Sequence, residues 1–87
     1  MFVVMAYDIN VKRVNKALKI GRRYLSWTQN SLFEGELTKA QLAKLKAELK
    51  KVIKEDEDSI VFYLVRRPQY MERQVMGKEK SELGLIL

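Results

Sequence analysis

The chain has 87 residues and carries 17 Lys and Arg against 11 Asp and Glu, a formal net charge of +6. Its length limits it to one small domain, and its charge favours a polyanionic partner such as nucleic acid, with a generally solubilising surface as the alternative. It contains no Cys and no His, which excludes disulfides, thiolate metal sites, a cysteine nucleophile and a histidine general base.

A short apolar run opens the sequence. Residues 2–8 are too few to span a membrane and too apolar for a surface loop, so they predict a buried central strand. The run ends in Asp8, the only acidic residue before Glu34. A carboxylate at the mouth of a buried strand is costly to desolvate, so Asp8 is a candidate for binding a cation or for catalysis. No basic segment precedes the run, so we expect no signal peptide, no membrane association and a cytoplasmic protein.

Residues 11–25 predict an amphipathic helix with Asn10 as its N-cap. The apolar face is predicted to comprise Val11, Val14, Leu18, Gly21 and Leu25. The opposite, cationic face is predicted to comprise Lys12, Lys16, Lys19 and Arg23. Residues 1–30 carry six cations against Asp8 alone, so this face is a candidate track for phosphates.

Residues 26–34 predict a strand that is interrupted near Asn30 by a bulge or a change of sheet. Trp27 and Phe33 are expected in the core, with base stacking as the alternative. Thr38 and Gln41 fit a capping box, so a second helix should begin at Thr38. Its core stripe is predicted to be Leu42, Leu45, Leu49, Val52 and Ile53.

The second helix is expected to end near Lys54, because the acidic run 55–58 opposes the helix dipole. We interpret that run as a solvated turn rather than a metal loop, since it lacks the glycine and spacing of a calcium loop. Residues 59–65 predict another apolar strand, and 66–69 a turn. Within that turn Arg66 and Arg67 are candidates for contacting phosphate or a partner subunit. Residues 70–76 predict a more polar strand, followed by a polar link and an apolar tail.

The element order predicts one α+β domain, a ferredoxin-like sandwich. Its helices cross one face of an antiparallel sheet with the first and third strands at the centre. The pattern is βαββαβ with an added C-terminal strand. Residues 1–67 form the predicted core of the domain, and residues 68–87 are a surplus strand and tail. We expect this surplus to pair with the sheet of a second copy in a homodimer.

Several segments, in the right order, resemble the Cas2 family of CRISPR adaptation proteins. They are Tyr7-Asp8-Ile9, Arg13 and Lys16, the segment from Ser31 to Leu37, and the segment from Val75 to Glu79. The segment from Ser31 to Leu37, followed by a lysine-rich helix, is the more specific part of the resemblance. The chain departs from many members at Asn10 and Val11, where further acidic residues are common, and at Val14, where arginine is frequent.

The resemblance implies a homodimer that joins a CRISPR integrase subunit and holds double-stranded DNA during spacer insertion. Members are also described as magnesium-dependent endonucleases acting on RNA or on DNA duplexes. Asp8 and Tyr7 would then be the catalytic residues, and Asp8 would hold Mg²⁺. One carboxylate makes a poor magnesium site, so the ion would be shared between the Asp8 residues of two protomers. The expected nucleic-acid contacts are Lys12, Arg13, Lys16, Lys19, Arg23, Arg66 and Arg67.

Three functions remain open from the sequence. The first is a DNA-holding scaffold in spacer integration, and the second is a metal-dependent endonuclease centred on paired Asp8 residues. The third is an endoribonuclease or RNA-binding ferredoxin-like module outside CRISPR adaptation.

Overall fold

A five-stranded antiparallel sheet with two helices forms the part of the chain that the computed structural model describes, residues 1–79. The elements in chain order are β1 Phe2–Asp8, α1 Val11–Tyr24, β2 Ser26–Gln29, β3 Leu32–Glu36, α2 Lys39–Lys50, β4 Ser59–Arg67 and β5 Tyr70–Gly77. The strand order is β2-β3-β1-β4-β5. The predicted α+β, ferredoxin-like arrangement is therefore confirmed, with β1 in the middle between β3 and β4.

Strand β1 explains the apolar opening of the sequence. It pairs with β3 over Phe2–Ala6 and with β4 over its whole length. Val3 and Met5 are fully buried in the core cluster, together with Phe33, Ile60, Phe62 and Leu64 of the neighbouring strands and Leu45 and Leu49 of α2. Alternate residues therefore face the helices.

The residues between them face the other way, because side chains alternate along a strand. We call this second surface the open face. It is formed by Phe2, Val4, Ala6, Asp8, Val61, Tyr63 and Val65. Ala6 and Val61 are buried but remain outside the core cluster that the helices cover. Within residues 1–79, both helices thus pack against one face of the sheet, and no helix packs against the open face.

Both helix starts follow the sequence prediction. The Asn10 side chain accepts a hydrogen bond from the Lys12 backbone N–H at 2.9 Å, which caps α1. Thr38 and Gln41 form a reciprocal capping box, with bonds of 3.1 and 2.9 Å. These contacts satisfy backbone donors that a helix N-terminus otherwise leaves without partners.

Helix α2 ends at Lys50, earlier than the predicted end near Lys54. The chain turns after Leu49, whose carbonyl accepts from the N–H groups of Val52 and Ile53. The Lys54 N–H donates to the Asp58 side chain at 2.9 Å and not to a helical carbonyl. A local hydrogen bond to a side chain four residues ahead thus satisfies the Lys54 N–H beyond the helix end, and Ile53 is still buried in the core.

The predicted strand 26–34 is two strands of one sheet, joined by a tight turn in which Asn30 has φ of 46°. The register shifts between Trp27 and Gln29, so the expected bulge is confirmed and the change of sheet is not needed. Phe33 is buried as predicted. The core placement of Trp27 is wrong, because β2 is an edge strand with every residue exposed.

Val11 also departs from prediction, since its side chain is 82% exposed. The buried stripe of α1 is centred on Ala17 and Gly21, and Val11 lies about 100° around the helix from them.

At the other end of the chain, β5 pairs with β4 of the same chain as an edge strand. Pairing of residues 68–87 with a second copy stays a prediction, and residues 80–87 lie outside the described residues. No helix within residues 1–79 is long and apolar enough to cross a membrane.

Candidate nucleic-acid interface and carboxylate site

Asp8 is exposed at the end of β1, in register with Ser59 of β4. Tyr7 precedes it but faces the helices, where its ring lies 5.9 Å from the ring of Phe33 between centroids. Asp8 belongs to the open face by strand alternation. The structure therefore places these two predicted site residues on opposite faces of the sheet and does not bring them together.

The Tyr7 hydroxyl is engaged by the turn between β2 and β3, where it donates to the Asn30 carbonyl at 3.3 Å. Burial raises the pKa of Tyr7 above its usual value, and the positive charge of nearby Arg22 opposes part of that rise. The hydroxyl is thus neutral at physiological pH and serves to hold the turn.

A buried carboxylate, Asp58, lies directly before β4. It accepts hydrogen bonds from the backbone N–H groups of Asn10 at 3.0 Å and Lys54 at 2.9 Å. The Arg13 guanidinium donates to it twice, at 2.7 and 3.0 Å. These bonds hold the pKa of the Asp58 carboxyl far below its usual range, with the Arg13 hydrogen bond as the main cause and burial acting against it.

Asp58 corrects the interpretation of residues 55–58 as a wholly solvated turn. Glu55, Asp56 and Glu57 are exposed, but Asp58 is fully buried. Its backbone carbonyl also accepts from the Lys78 N–H at 2.8 Å, just after β5. One residue thus connects the loop after β1, the turn after α2 and the end of β5. A carboxylate adjoining an apolar strand is the sequence signal that pointed to Asp8 at the end of β1, and it applies equally to Asp58 before the start of β4.

Arg13 was predicted to contact nucleic acid, but its guanidinium has an internal role. Besides Asp58 it contacts Glu57 at 2.8 Å, and its side chain is only 16% exposed. These two partners raise the pKa of Arg13 further above its usual value. The structure therefore separates Arg13 from the exposed cations of α1, because binding a phosphate would require it to give up a carboxylate.

The other predicted cations of α1 are all exposed. Lys12, Lys16 and Lys19 form no ion pair with any residue in the described range 1–79, whereas Arg23 pairs with Glu48 of α2. The first turn of α1 contains no acidic residue. The outer surface of α1 is therefore electropositive along its length.

Arg66 and Arg67 lie at the far end of β4 from Ser59, which pairs with Asp8. Eight residues of extended strand separate the two ends by about 26 Å. Arg66 is 3.4 Å from Glu72, and both arginines line a cavity of about 370 Å³ with Gln69 and Tyr70. They belong to a different region from α1 and Asp8.

A magnesium ion needs more oxygen ligands than residues 1–79 bring together. Among residues 1–79 no group of three or more Asp, Glu, His or Cys side chains is placed to hold a metal. Both oxygens of Asp58 already accept two hydrogen bonds each. Asp8 is exposed at the end of β1, and a magnesium ion held there would need further ligands from a second protomer.

Comparison with known proteins agrees with this fold. The family model for CRISPR associated protein Cas2 matches residues 1–73. A Dictyoglomus turgidum protein named CRISPR-associated endoribonuclease Cas2 is 48% identical over 87 residues, covering all of both chains. An Archaeoglobus fulgidus protein named CRISPR-associated endoribonuclease Cas2 2 is 52% identical over 81 residues, 93% of this chain and 88% of its own.

Solved structures show the same similarity. A crystal structure of Cas2 matches with a TM-score of 0.73 and 47% identity, covering 93% of this chain and 91% of the other. Streptococcus pyogenes Cas2 matches with a TM-score of 0.68 and 37% identity, covering 75% and 86%. On its sequence and its fold together, the chain belongs to the Cas2 family of CRISPR-associated proteins.

Proposed function

We propose that this protein acts in CRISPR adaptation as a homodimer that holds double-stranded DNA and joins it to an integrase subunit. The observation that carries the proposal is the electropositive outer surface of α1. Lys12, Lys16 and Lys19 are exposed there with no carboxylate partner among the described residues. Unpaired cations on a rigid surface favour a polyanion through counterion release.

The geometry of α1 suits a phosphate backbone. Lys12 and Lys19 are separated by about 10 Å along the helix axis, a length over which one DNA strand presents about three phosphates. The helix is fixed at its start by the Arg13 to Asp58 contact and near its end by hydrogen bonds from Tyr24 and Arg23 to Glu48. A fixed helix binds phosphates without paying to order its own backbone.

The open face supports a homodimer. Phe2, Val4, Tyr63 and Val65 are half-buried on a sheet surface that neither α1 nor α2 covers. A small domain gains stability by covering such a surface with a second copy. Asp8 lies at the end of the same face, so a two-fold pair formed through it would have both Asp8 carboxylates at its interface.

A metal-dependent endonuclease is the second candidate, because relatives across the whole chain are named endoribonucleases. In that role Asp8 would hold Mg²⁺ together with Asp8 of a second copy. The ion would supply charge neutralisation at the phosphodiester. Asp58 is buried, and its two oxygens accept hydrogen bonds from Arg13 and two backbone donors, so we do not assign the ion to it.

The DNA-holding role is tested by salt dependence. Replacing Lys12, Lys16 and Lys19 by Gln should reduce the slope of log affinity against log salt by about 2.7 units, or 0.9 for each phosphate that is no longer neutralised. The matched control replaces Lys44, Lys50 and Lys51 by Gln, which removes the same charge from exposed positions on and just after α2. Equal slope changes in the two variants would show that net charge matters and the α1 track does not exist.

Asp8→Asn separates the two candidates. We expect it to abolish any magnesium-dependent cleavage, because it removes the exposed carboxylate ligand, while DNA binding and partner-dependent integration persist. Glu34→Gln is the control, since it removes another exposed carboxylate from the sheet. If Asp8→Asn stopped integration in a folded dimer that still bound DNA, the scaffold proposal would be wrong.

A further inference from the structure

An aromatic surface lies at the edge of the sheet beside α1. Trp27 is 53% exposed on β2 and is the only tryptophan of the chain. Its indole N–H donates to the Asn30 carbonyl at 3.0 Å, the same oxygen that accepts from the Tyr7 hydroxyl. The positive charge of Arg22 lowers the pKa of that hydroxyl, against the larger effect of burial. We call Tyr7, Arg22, Trp27 and Asn30 the Trp27 surface.

The indole is held in place although it is exposed. Its one polar atom is bonded to the turn, and that turn is fixed by Asn30 in a left-handed conformation with φ of 46°. Trp27 is in register with the buried Phe33, which anchors the same part of the hairpin in the core. A ring held this way loses little side-chain entropy when a flat ligand stacks on it.

The charge around this ring favours an anion. Trp27 shares its side of the sheet with Phe33 and α1, where Arg22 and Lys19 are exposed neighbours one helical turn apart. Glu34 follows Phe33 along β3 and so faces the opposite side, as Asp8 does relative to Tyr7. The acidic side chains nearest in sequence are thus directed away from the indole.

We infer that the Trp27 surface binds an unpaired nucleotide, with its base stacked on the indole and its phosphate facing Arg22. The inference rests on the proposed nucleic-acid role and adds a second element of recognition to it. Bases within a duplex already stack on one another, so an exposed indole selects a strand end or a single strand. Lysines of α1 would bind phosphates of the duplex, and Trp27 would stack on the first unpaired base beyond its end.

The test uses the full chain and three oligonucleotides: a blunt DNA duplex, the same duplex with a short unpaired 3′ overhang, and single-stranded RNA of the overhang strand's sequence. Because Trp27 is the only tryptophan, stacking is read directly as quenching of protein fluorescence. We expect quenching with the overhang or the RNA but not with the blunt duplex, and the stronger of the two identifies the natural strand.

Fluorescence anisotropy of variants measures how much the stacking contributes to binding affinity. Trp27→Thr should weaken overhang binding about five- to a hundredfold, the range for one base stacked on an aromatic side chain, and leave blunt-duplex binding unchanged. Trp27→Phe should retain most of the overhang preference, which separates stacking from a folding defect. Tyr70→Thr is the matched control, because Tyr70 is 58% exposed on the opposite edge strand. It should leave the overhang-to-blunt ratio unchanged.

Four results would overturn the inference. Equal weakening of blunt and overhang duplexes by Trp27→Thr would mean that the indole contacts the duplex and not an unpaired base. Quenching by the integrase subunit without nucleic acid would assign the surface to a protein partner. Blunt-duplex binding by the wild type with no preference for either the overhang or the RNA would refute this inference alone, whereas no binding to any oligonucleotide would refute the proposed function as well.

Discussion

Replacing Asp58 by Asn should strongly destabilise the fold although it preserves the size and shape of the side chain. Each carboxylate oxygen accepts two hydrogen bonds, from Arg13 and from the backbone of either Asn10 or Lys54. Whichever way the amide is oriented, its NH₂ group faces two N–H donors. The variant therefore has fewer acceptors and a new repulsion between donors inside a buried site.

The size of the effect follows from burial. Removing one partner of a buried, hydrogen-bonded ion pair costs about 3–5 kcal/mol, and we expect about 3 kcal/mol because Glu57 remains beside Arg13. An 87-residue domain has a total unfolding free energy of about 4–13 kcal/mol at typical values per residue. The substitution should thus remove a quarter or more of the stability.

Urea unfolding followed by circular dichroism measures this loss, at one fixed protein concentration because a dimer would make stability concentration-dependent. Asp56→Asn is the matched control, since Asp56 is exposed in the same turn and should change the unfolding free energy little. A loss for Asp58→Asn no larger than that for Asp56→Asn would refute the reasoning.

The same pair of proteins gives a pH signature. The pKa of Asp58 is lower in the folded state than in the unfolded state, so its stabilisation is complete above the unfolded value of about 3.9. It is lost as pH falls from there toward the depressed folded value. The stability difference between wild type and Asp58→Asn should therefore be constant near neutral pH and shrink below about pH 4.

Three further outcomes are expected. Gly77→Ala should lower the free energy of unfolding by about 1–3 kcal/mol or more. Gly77 has φ of +78°, and an added Cβ would lie 2.3 Å from the Asp58 carbonyl oxygen. Gly35→Ala should cost less in the same urea experiment, and the reverse order would contradict the geometry. Thr38→Ala should lower the free energy of unfolding by about 1 kcal/mol, because it removes the capping box. Thr38→Ser keeps the hydroxyl and should retain most of that stability. Equal stability of the wild type and both variants would show that the capping box does not stabilise the protein. A chain ending at Arg67 lacks β5 and should sediment as a monomer or aggregate, whereas a stable dimer would exclude residues 68–87 from dimer formation.

The sequence was sufficient where the determining contacts are local. The apolar run of β1 and the spacing of Thr38 and Gln41 each act within a few residues, and β1 and the start of α2 form as predicted. The cationic face of α1 could likewise be predicted, because helical periodicity alone places Lys12, Lys16 and Lys19 on one side of the helix.

Contacts between distant segments account for what the sequence left undetermined. Arg13 and Asp58 are 45 residues apart, so nothing near either residue indicates that one neutralises the other. That pairing changes two interpretations, since it gives Arg13 an internal role and makes Asp58 a buried residue. Trp27 was misplaced for a similar reason. Its exposure depends on β2 lying at the sheet edge, and residue type in a short strand does not reveal strand order.

The double pairing of β1 limits how the chain can change in length. Because β1 is hydrogen-bonded to β3 on one side and to β4 on the other, inserting or deleting one residue within it would reverse the direction of every side chain that follows. Tyr7 would then turn to the open face and Asp8 into the core. The loop after Asp8 is constrained as well, because the Asn10 backbone N–H donates to the buried Asp58 and the Asn10 side chain caps α1. Diversification of this part of the chain would therefore proceed by substitution, while the count of residues from Phe2 to Asp8 stays constant.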